Sequence, residues 1–118
     1  MDRNDVARLV GKYIAIWNES DDRPRQALVE EVFTPNAIYT DPNIVAQGTA
    51  AISDYIAVAQ RNFTGMPFTL GPVLTHHDVV HFAWQVGPDG GTPVVSGFDV
   101  ASFEDGRINR LTGFFNGY

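Results

Sequence analysis

Cysteine is absent from this chain of 118 residues. Disulfide bonds, thiolate metal centres and a cysteine nucleophile are therefore excluded, whereas the cellular compartment stays open. Positive charge is also scarce, since Lys12 and seven arginines stand against 14 acidic residues, for a net charge of −6. A polyanionic partner binds through a basic surface. We therefore predict that the protein binds neither nucleic acid nor an anionic membrane.

Long apolar runs and targeting signals are missing as well. No stretch approaches the roughly 18 apolar residues that a membrane-spanning helix needs. Residues 1–5 are polar and no apolar core follows them, which is unlike a secretory signal and predicts a cytoplasmic protein. The sequence has no phosphate-binding loop, nucleophile elbow or dinucleotide fingerprint. Its glycine-rich segment, 87–91, joins two predicted strands and is interpreted as a hairpin loop.

The residues that are present are typical of a globular protein. Hydrophobic residues make up 44% and charged residues 19%, and the length suits a single domain over 1–118. Apolar residues recur at three- and four-residue steps in three segments, which indicates amphipathic helices. We predict these helices at 4–18, 24–33 and 49–63, with Pro24 as the first residue of the second.

The spacing of apolar residues then changes from about 3.6 to about 2, which is typical of strands. We predict a short strand at 37–41, between the second and third helices, and later strands at 68–75, 79–86, 94–103 and 107–115. Turn residues separate the last four, so these should pair antiparallel. The expected fold class is α+β, with three N-terminal helices packed on a curved, mainly antiparallel sheet and a small-molecule cavity between the layers.

Three polar side chains stand out against this pattern. Asp99 lies in mid-strand on the apolar face, where a carboxyl group is costly to bury unless it is paired or protonated. Asp41 ends a strand just before Pro42, and Tyr13 lies on the buried stripe of the first helix. Each also has a structural interpretation: an ion pair of Asp99 with Arg110, a turn-initiating Asp-Pro, and ordinary core packing of Tyr13.

The three histidines do not suggest a metal site. His76 and His77 occupy a turn, and adjacent residues point to opposite faces of any strand. His81 lies on the strand face opposite the apolar one, so we expect it outside the cavity. The outer, convex face of the sheet is expected to be semi-polar and to carry Thr75, His77, His81 and Gln85 mixed with Val79 and Ala83.

Read in chain order, these segments resemble the NTF2-like, or SnoaL-like, superfamily of cone-shaped α+β domains over essentially the full length. Within it they are most similar to the steroid Δ5-3-ketoisomerases. The likeness rests on three segments: Lys12-Tyr13-Ile14-Ala15; Asp41-Pro42 with Gly48-Thr49-Ala50-Ala51-Ile52; and Phe98-Asp99-Val100 with Phe103 and Gly106-Arg107-Ile108. The chain departs from the isomerase pattern at Phe33 and Ile56, where some isomerases have tyrosines that back the oxyanion tyrosine.

The resemblance implies that three side chains meet in one cavity and move a proton next to a carbonyl group. Asp41 would be the base, while Tyr13 and a protonated Asp99 would hold the enolate oxygen, as the neutral acid does in these isomerases. The ligand would be an apolar ketone or a polyketide-like molecule, with no cofactor and no metal. The cavity walls would come from Phe33, Tyr55, Phe82, Trp84, Val95 and Phe115, and a homodimer would form through the outer sheet face.

Two other functions start from the same residues. A SnoaL-like polyketide cyclase would form the same enolate and then a carbon–carbon bond. A non-catalytic member of the superfamily would use the cavity only to bind a ligand, or the sheet only to dimerise. Relatives that hydrolyse epoxides or dehydrate their substrates fit less well, because Gly97 removes the expected spacing around Asp99 and His81 faces away.

Overall fold

The computed structural model describes residues 1–117, and the predicted α+β fold class is confirmed. Three helices lie on one side of a curved, six-stranded, mainly antiparallel sheet. The elements in chain order are α1 (Arg3–Asn18), α2 (Asp22–Val32), β1 (Phe33–Asp41), β2 (Ile44–Gln47), α3 (Thr49–Gln60) with a 3₁₀ turn (Arg61–Phe63), β3 (Phe68–His76), β4 (Val79–Val86), β5 (Val95–Glu104) and β6 (Arg107–Phe115).

Helix α1 brings Tyr13 to the inner face of the sheet. Asp2 caps the helix by accepting the backbone N–H of Asp5 at 2.8 Å, and the Asp5 side chain accepts the backbone N–H of Asp2 at 3.1 Å. This reciprocal capping box satisfies donors that the first turn would leave unpaired. The predicted apolar stripe of α1 is buried, including Val6, Val10 and Tyr13. Its burial fixes which side of the helix faces the sheet.

Two amide side chains fix the other end of α1. Asn18 donates to the carbonyl of Phe68 at 2.8 Å and accepts its backbone N–H at 2.7 Å, which ties the helix to the start of β3. From α3, Gln60 donates to three backbone carbonyls within 16–19. The carbonyl of Ile16 also accepts the backbone N–H of Glu19, and the carbonyl of Glu19 also accepts the side chain of Arg25. The amide of Gln60 therefore adds a shared donor for the carbonyls that the helix end exposes. The first contact thus joins the end of α1 to β3, and the second joins it to α3.

The strand order is β2-β1-β6-β5-β4-β3. All neighbouring strands are antiparallel except β1 and β6, which are parallel. Strand β6 therefore lies between β1, which ends at Asp41, and β5, which carries Asp99. Two acids that are distant in the chain are thus brought to strands separated by a single neighbour.

Several predicted boundaries are wrong. Helix α2 begins at Asp22, so Pro24 is its third residue, which is still in the first turn, where proline is tolerated. Strand β1 starts at Phe33 rather than at residue 37, because Phe33 pairs with Ile108 and the register shifts before Ile38. Such an irregularity accommodates Pro35, which has no ladder donor. Helix α3 ends earlier than predicted, at Gln60, and the short strand β2 was not predicted at all.

The outer face of the sheet is more apolar than the sequence predicted. Leu74 is 68% exposed, Phe114 is 45% exposed, and Phe114 stacks on Phe98 with ring centroids 5.0 Å apart. His81 lies on this face as expected, stacked on the other side of Phe98. Thr75 was placed there wrongly, because it pairs with Val80, which is buried on the inner face. Within residues 1–117, no helix is long and apolar enough to span a membrane.

Candidate functional site

A cavity of about 300 Å³ lies between the helices and the inner face of the sheet. Aromatic rings make up much of its wall, namely Trp17, Phe63, Phe68, Trp84 and Phe115. Its polar lining comes from Tyr13, Tyr39, Asn43, Tyr55, Asn62 and Asp99. A mostly apolar hollow with a few convergent polar groups is the usual form of a small-molecule site.

Asp99 presents a buried carboxyl group to this cavity. The indole N–H of Trp84 donates to its Oδ1 at 2.9 Å. Gly97 makes room for the indole, since a Cβ at that position would lie only 2.8 Å from Cζ2 of Trp84. Burial raises the pKa of Asp99 to about 7, and the negative charge of Asp41 adds to the rise, whereas Trp84 and the Tyr13 hydroxyl oppose it. The neutral, hydrogen-donating form of Asp99 is therefore well populated near neutral pH.

Tyr13 is the second donor at the cavity. Its ring is almost fully buried, with edge contacts to Phe33 at 6.0 Å and Phe82 at 5.5 Å between ring centroids. Burial raises the pKa of Tyr13 well above its ordinary value, and the nearby charge of Asp99 raises it further. The hydroxyl therefore keeps its proton at any physiological pH. Tyr13 and neutral Asp99 therefore both line the cavity with a proton to donate.

Asp41 is buried at the end of β1 and is held by three donors. Its Oδ2 accepts the hydroxyl of Tyr39 at 2.7 Å and the hydroxyl of Tyr55 at 2.6 Å. Its Oδ1 accepts the backbone N–H of Asn43 at 2.8 Å, which is the Asx turn that an Asp-Pro sequence favours. Asp41 therefore does form the predicted turn. It also lies beside the cavity, because the two tyrosines that bond to it line the wall. Asp41 is not itself among the residues that line the cavity.

A glycine separates the two acids. In the sheet Gly113 of β6 pairs with Asp99. A Cβ on Gly113 would lie 2.9 Å from Oδ1 of Asp99 and 3.6 Å from Cβ of Asp41. Asp41, Gly113 and Asp99 therefore form a row across β1, β6 and β5, on the side of the sheet that faces the helices. The missing side chain leaves space for both carboxyl groups.

Most of the predicted wall residues line the cavity, but two do not. Tyr55, Trp84, Val95 and Phe115 lie in its wall, together with Tyr13 and Asp99. The placement of Phe33 and Phe82 in that wall is wrong. Both are fully buried and pack edge-on against the ring of Tyr13, which stands between them and the cavity. Phe33 and Phe82 therefore pack against the Tyr13 ring on its side away from the cavity.

The sequence interpretation missed other residues of the site. Tyr39 was detectable, because it lies two residues before Asp41 and so shares its strand face. Asn43 and the aromatic residues Trp17, Phe63 and Phe68 carry no comparable signal. The alternative ion pair of Asp99 with Arg110 does not form, since Arg110 pairs with Ser102 and is exposed. Residues 1–117 hold no cluster of three or more His, Cys, Asp or Glu residues fit for a metal ion.

Comparison with known proteins places this architecture in a family. The model of the SnoaL-like domain matches residues 10–111. The chain belongs to the SnoaL-like family. The predicted resemblance to the NTF2-like, or SnoaL-like, superfamily is therefore confirmed.

Solved structures agree with this SnoaL-like assignment. A protein from Agrobacterium tumefaciens strain C58, named as an isomerase of the SnoaL-like family, is 32% identical over 97% of this chain and 99% of its own, with a TM-score of 0.89. A protein from Sinorhizobium meliloti, named as a polyketide cyclase, is 24% identical over 90% and 93%, with a TM-score of 0.71. One from Kribbella flavida DSM 17836, named as a ketosteroid isomerase, is 14% identical over 98% and 80%, with a TM-score of 0.72. No curated protein shows significant similarity to the chain.

Proposed function

We propose that this SnoaL-like protein is a cofactor-independent isomerase that moves a proton next to the carbonyl group of a small apolar ketone. The observation that carries the proposal is the pairing of Tyr13 with Asp99, an acid with a pKa of about 7, in an apolar cavity one strand away from a second acid. The name of the Agrobacterium relative, at 32% identity, supports the same class of reaction.

The proposed mechanism uses this chain's own side chains. Asp41 takes a proton from the carbon next to the carbonyl, and the resulting enolate oxygen accepts hydrogen bonds from Tyr13 and protonated Asp99. Asp41 then returns the proton to another carbon, which completes an allylic shift. Donors fixed in an apolar site stabilise developing charge at little reorganisation cost, and a positioned base typically contributes about 10²–10⁴-fold. The enolate carries one negative charge, largely on its oxygen, and hydrogen bonds from two neutral donors can stabilise it.

The size of the cavity narrows the substrate class. A volume of about 300 Å³ is at the lower end for ligand sites. We therefore propose a ketone with one or two rings, with further rings projecting from the mouth.

Proton exchange at a ketone tests this function. We expect the protein to isomerise 3-cyclohexen-1-one to the conjugated enone and to exchange its α-protons with deuterated solvent, both followed by NMR. Asp41→Asn should slow exchange by about 10²-fold or more, because the base is lost, while binding stays intact. The matched control is Asp54→Asn, which changes an exposed aspartate on α3. Equal loss of binding and turnover would argue against a base, and ketone binding without exchange in the unaltered protein would assign a ligand-binding role instead.

A polyketide cyclase remains the second candidate, because cyclisation begins with the same enolate. Release of a conjugated enone without carbon–carbon bond formation separates the two reactions. We further propose that the protein forms a homodimer through the exposed apolar residues of the outer sheet face, which include Leu74, Val100 and Phe114.

A further inference from the structure

Hydrogen bonds from two tyrosines cover one oxygen of Asp41, Oδ2. An ionised carboxylate has about four lone-pair sites, two on each oxygen. Both sites on Oδ2 are occupied, one by the hydroxyl of Tyr39 and one by that of Tyr55, and Oδ1 accepts the backbone N–H of Asn43. The two tyrosines line the cavity, whereas Asp41 does not. A substrate proton therefore has no route to Oδ2 until one of the two hydroxyls has moved away.

The two tyrosines differ in how firmly they are held. Tyr39 is 3% exposed and lies in β1, which is hydrogen-bonded on both sides, to β2 and to β6. Its backbone is fixed on both sides and its side chain is buried, so its hydroxyl has little room to move. Tyr55 is only partly buried and lies on α3, outside the sheet. Its hydroxyl also interacts with the side chain of Asn43, which offers it a second partner at the cavity wall.

We propose that Tyr55 is a removable cover over Asp41. When a ketone enters, the Tyr55 hydroxyl leaves Oδ2 and frees a lone pair for the substrate proton, while Tyr39 stays in place and orients the carboxylate. Tyr55 is thus a positioning residue that links ligand entry to exposure of the base. The catalytic consequence rests on the proposed function, whereas the looser attachment of Tyr55 is a property of the free protein.

Matched phenylalanine variants test the cover with 3-cyclohexen-1-one. In the unaltered protein the hydrogen bond from Tyr55 to Asp41 must break when the ketone enters, and this opposes binding. Tyr55→Phe removes that bond and keeps the ring, so KM should fall about tenfold while kcat changes little. Tyr39→Phe, the control, leaves the cover in place, so its KM should not fall and its kcat should drop because the carboxylate is less well oriented.

A second measurement needs neither ligand nor turnover. In the free protein, NMR should show the hydroxyl proton of Tyr55 exchanging with solvent faster than that of Tyr39. Equal exchange rates of the two hydroxyls, or an active Tyr55→Phe variant whose KM does not fall, would overturn the cover. Faster exchange at Tyr55 in a protein that isomerises no ketone would support the cover and contradict the proposed function, so the two failures are distinguishable.

Discussion

Opposing neighbours hold Asp99 between its two protonation states. Burial in the apolar wall favours the neutral acid, and so does the charge of Asp41 across Gly113, whereas the donors Trp84 and Tyr13 favour the carboxylate. The balance gives a pKa of about 7 for Asp99. Small changes at any of these neighbours should therefore alter how much of the donor form is present in the neutral pH range.

This balance predicts a pH dependence of stability. In the unfolded chain Asp99 ionises near pH 3.9, so between about pH 4 and 7 the folded state holds a proton that the unfolded state lacks. The free energy of unfolding should then fall as pH rises. The contribution of Asp99 is fully present below about pH 4 and is lost as pH passes through 7.

Asp99→Asn removes this titration and keeps an oxygen for the Trp84 indole. The free energy of unfolding of the variant, relative to the unaltered protein, should rise between about pH 4 and 7 by at least about 1 kcal/mol and level off above about pH 8. Urea denaturation at several pH values measures it. Parallel stability curves for the two proteins would show that Asp99 is ionised as readily when folded as when unfolded.

Single residues were predictable where their polarity conflicted with their surroundings. Asp99 and Tyr13 stand among apolar neighbours with strand or helix spacing, so the sequence alone places both on a buried face. The bond from Tyr55 to Asp41 was not predictable, because it depends on how α3 packs against β1. Phe33 and Phe82 were assigned to the cavity because they share the inner face, yet the ring of Tyr13 covers them.

Among the elements, β6 determines the distance between the acids. It separates the strands of Asp41 and Asp99, and at the level of both acids it carries Gly113, which has no side chain. A Cβ there would come within 2.9 Å of Oδ1 of Asp99, the atom that accepts the Trp84 indole. A close backbone approach of this kind favours glycine in mid-strand.

Gly113→Ala should therefore disturb the site without changing any of its polar side chains. The carboxyl group of Asp99 must move and lose its bond to Trp84, which should slow proton exchange about tenfold and lower the free energy of unfolding by about 1–3 kcal/mol. The Trp84 indole N–H signal in NMR should shift as well.

Gly11→Ala is the control for the Gly113 variant. Gly11 lies on the exposed side of α1, with no atom within 4 Å of the added Cβ. The free energy of unfolding should therefore rise by up to about 1 kcal/mol. An unshifted indole signal in the Gly113 variant would refute the argument.

Elements with many regularly spaced apolar residues were predictable, and those fixed by pairing were not. Helix α1 and strands β3 to β6 lie within a few residues of their predicted positions. Strand β2 has four residues, which is too short to show a clear periodicity, and within residues 1–117 it pairs with β1 at the edge of the sheet. The early start of β1 depends on the pairing of Phe33 with Ile108, a contact that no local pattern predicts.

On the scale of the whole molecule, the outer sheet face is an unusual surface for a monomer. The helices cover only the inner face, and the rings of His81, Phe98 and Phe114 stack in a continuous row on the other. Leu74 and Val100 add exposed apolar area on the same face. A contiguous exposed apolar patch marks an interaction surface, which is consistent with the proposed homodimer.

Phe114→Asp should break this homodimer. We expect the unaltered protein to sediment with the mass of two chains at micromolar concentration, and the variant with the mass of one, because a charge in an apolar interface loses its hydration without gaining a partner. Ala7→Asp, on the exposed side of α1, adds the same charge away from the sheet and should leave the mass unchanged. A monomeric unaltered protein would contradict the proposal.

The sheet order also has a consequence for folding. Strand β6 follows β1 and β5 in the chain and pairs with both, so Asp41 and Asp99 come together only when β6 has inserted between the two strands. An intermediate with its helices and the β3–β4–β5 meander formed, but with β6 unpaired, would hold the two acids apart.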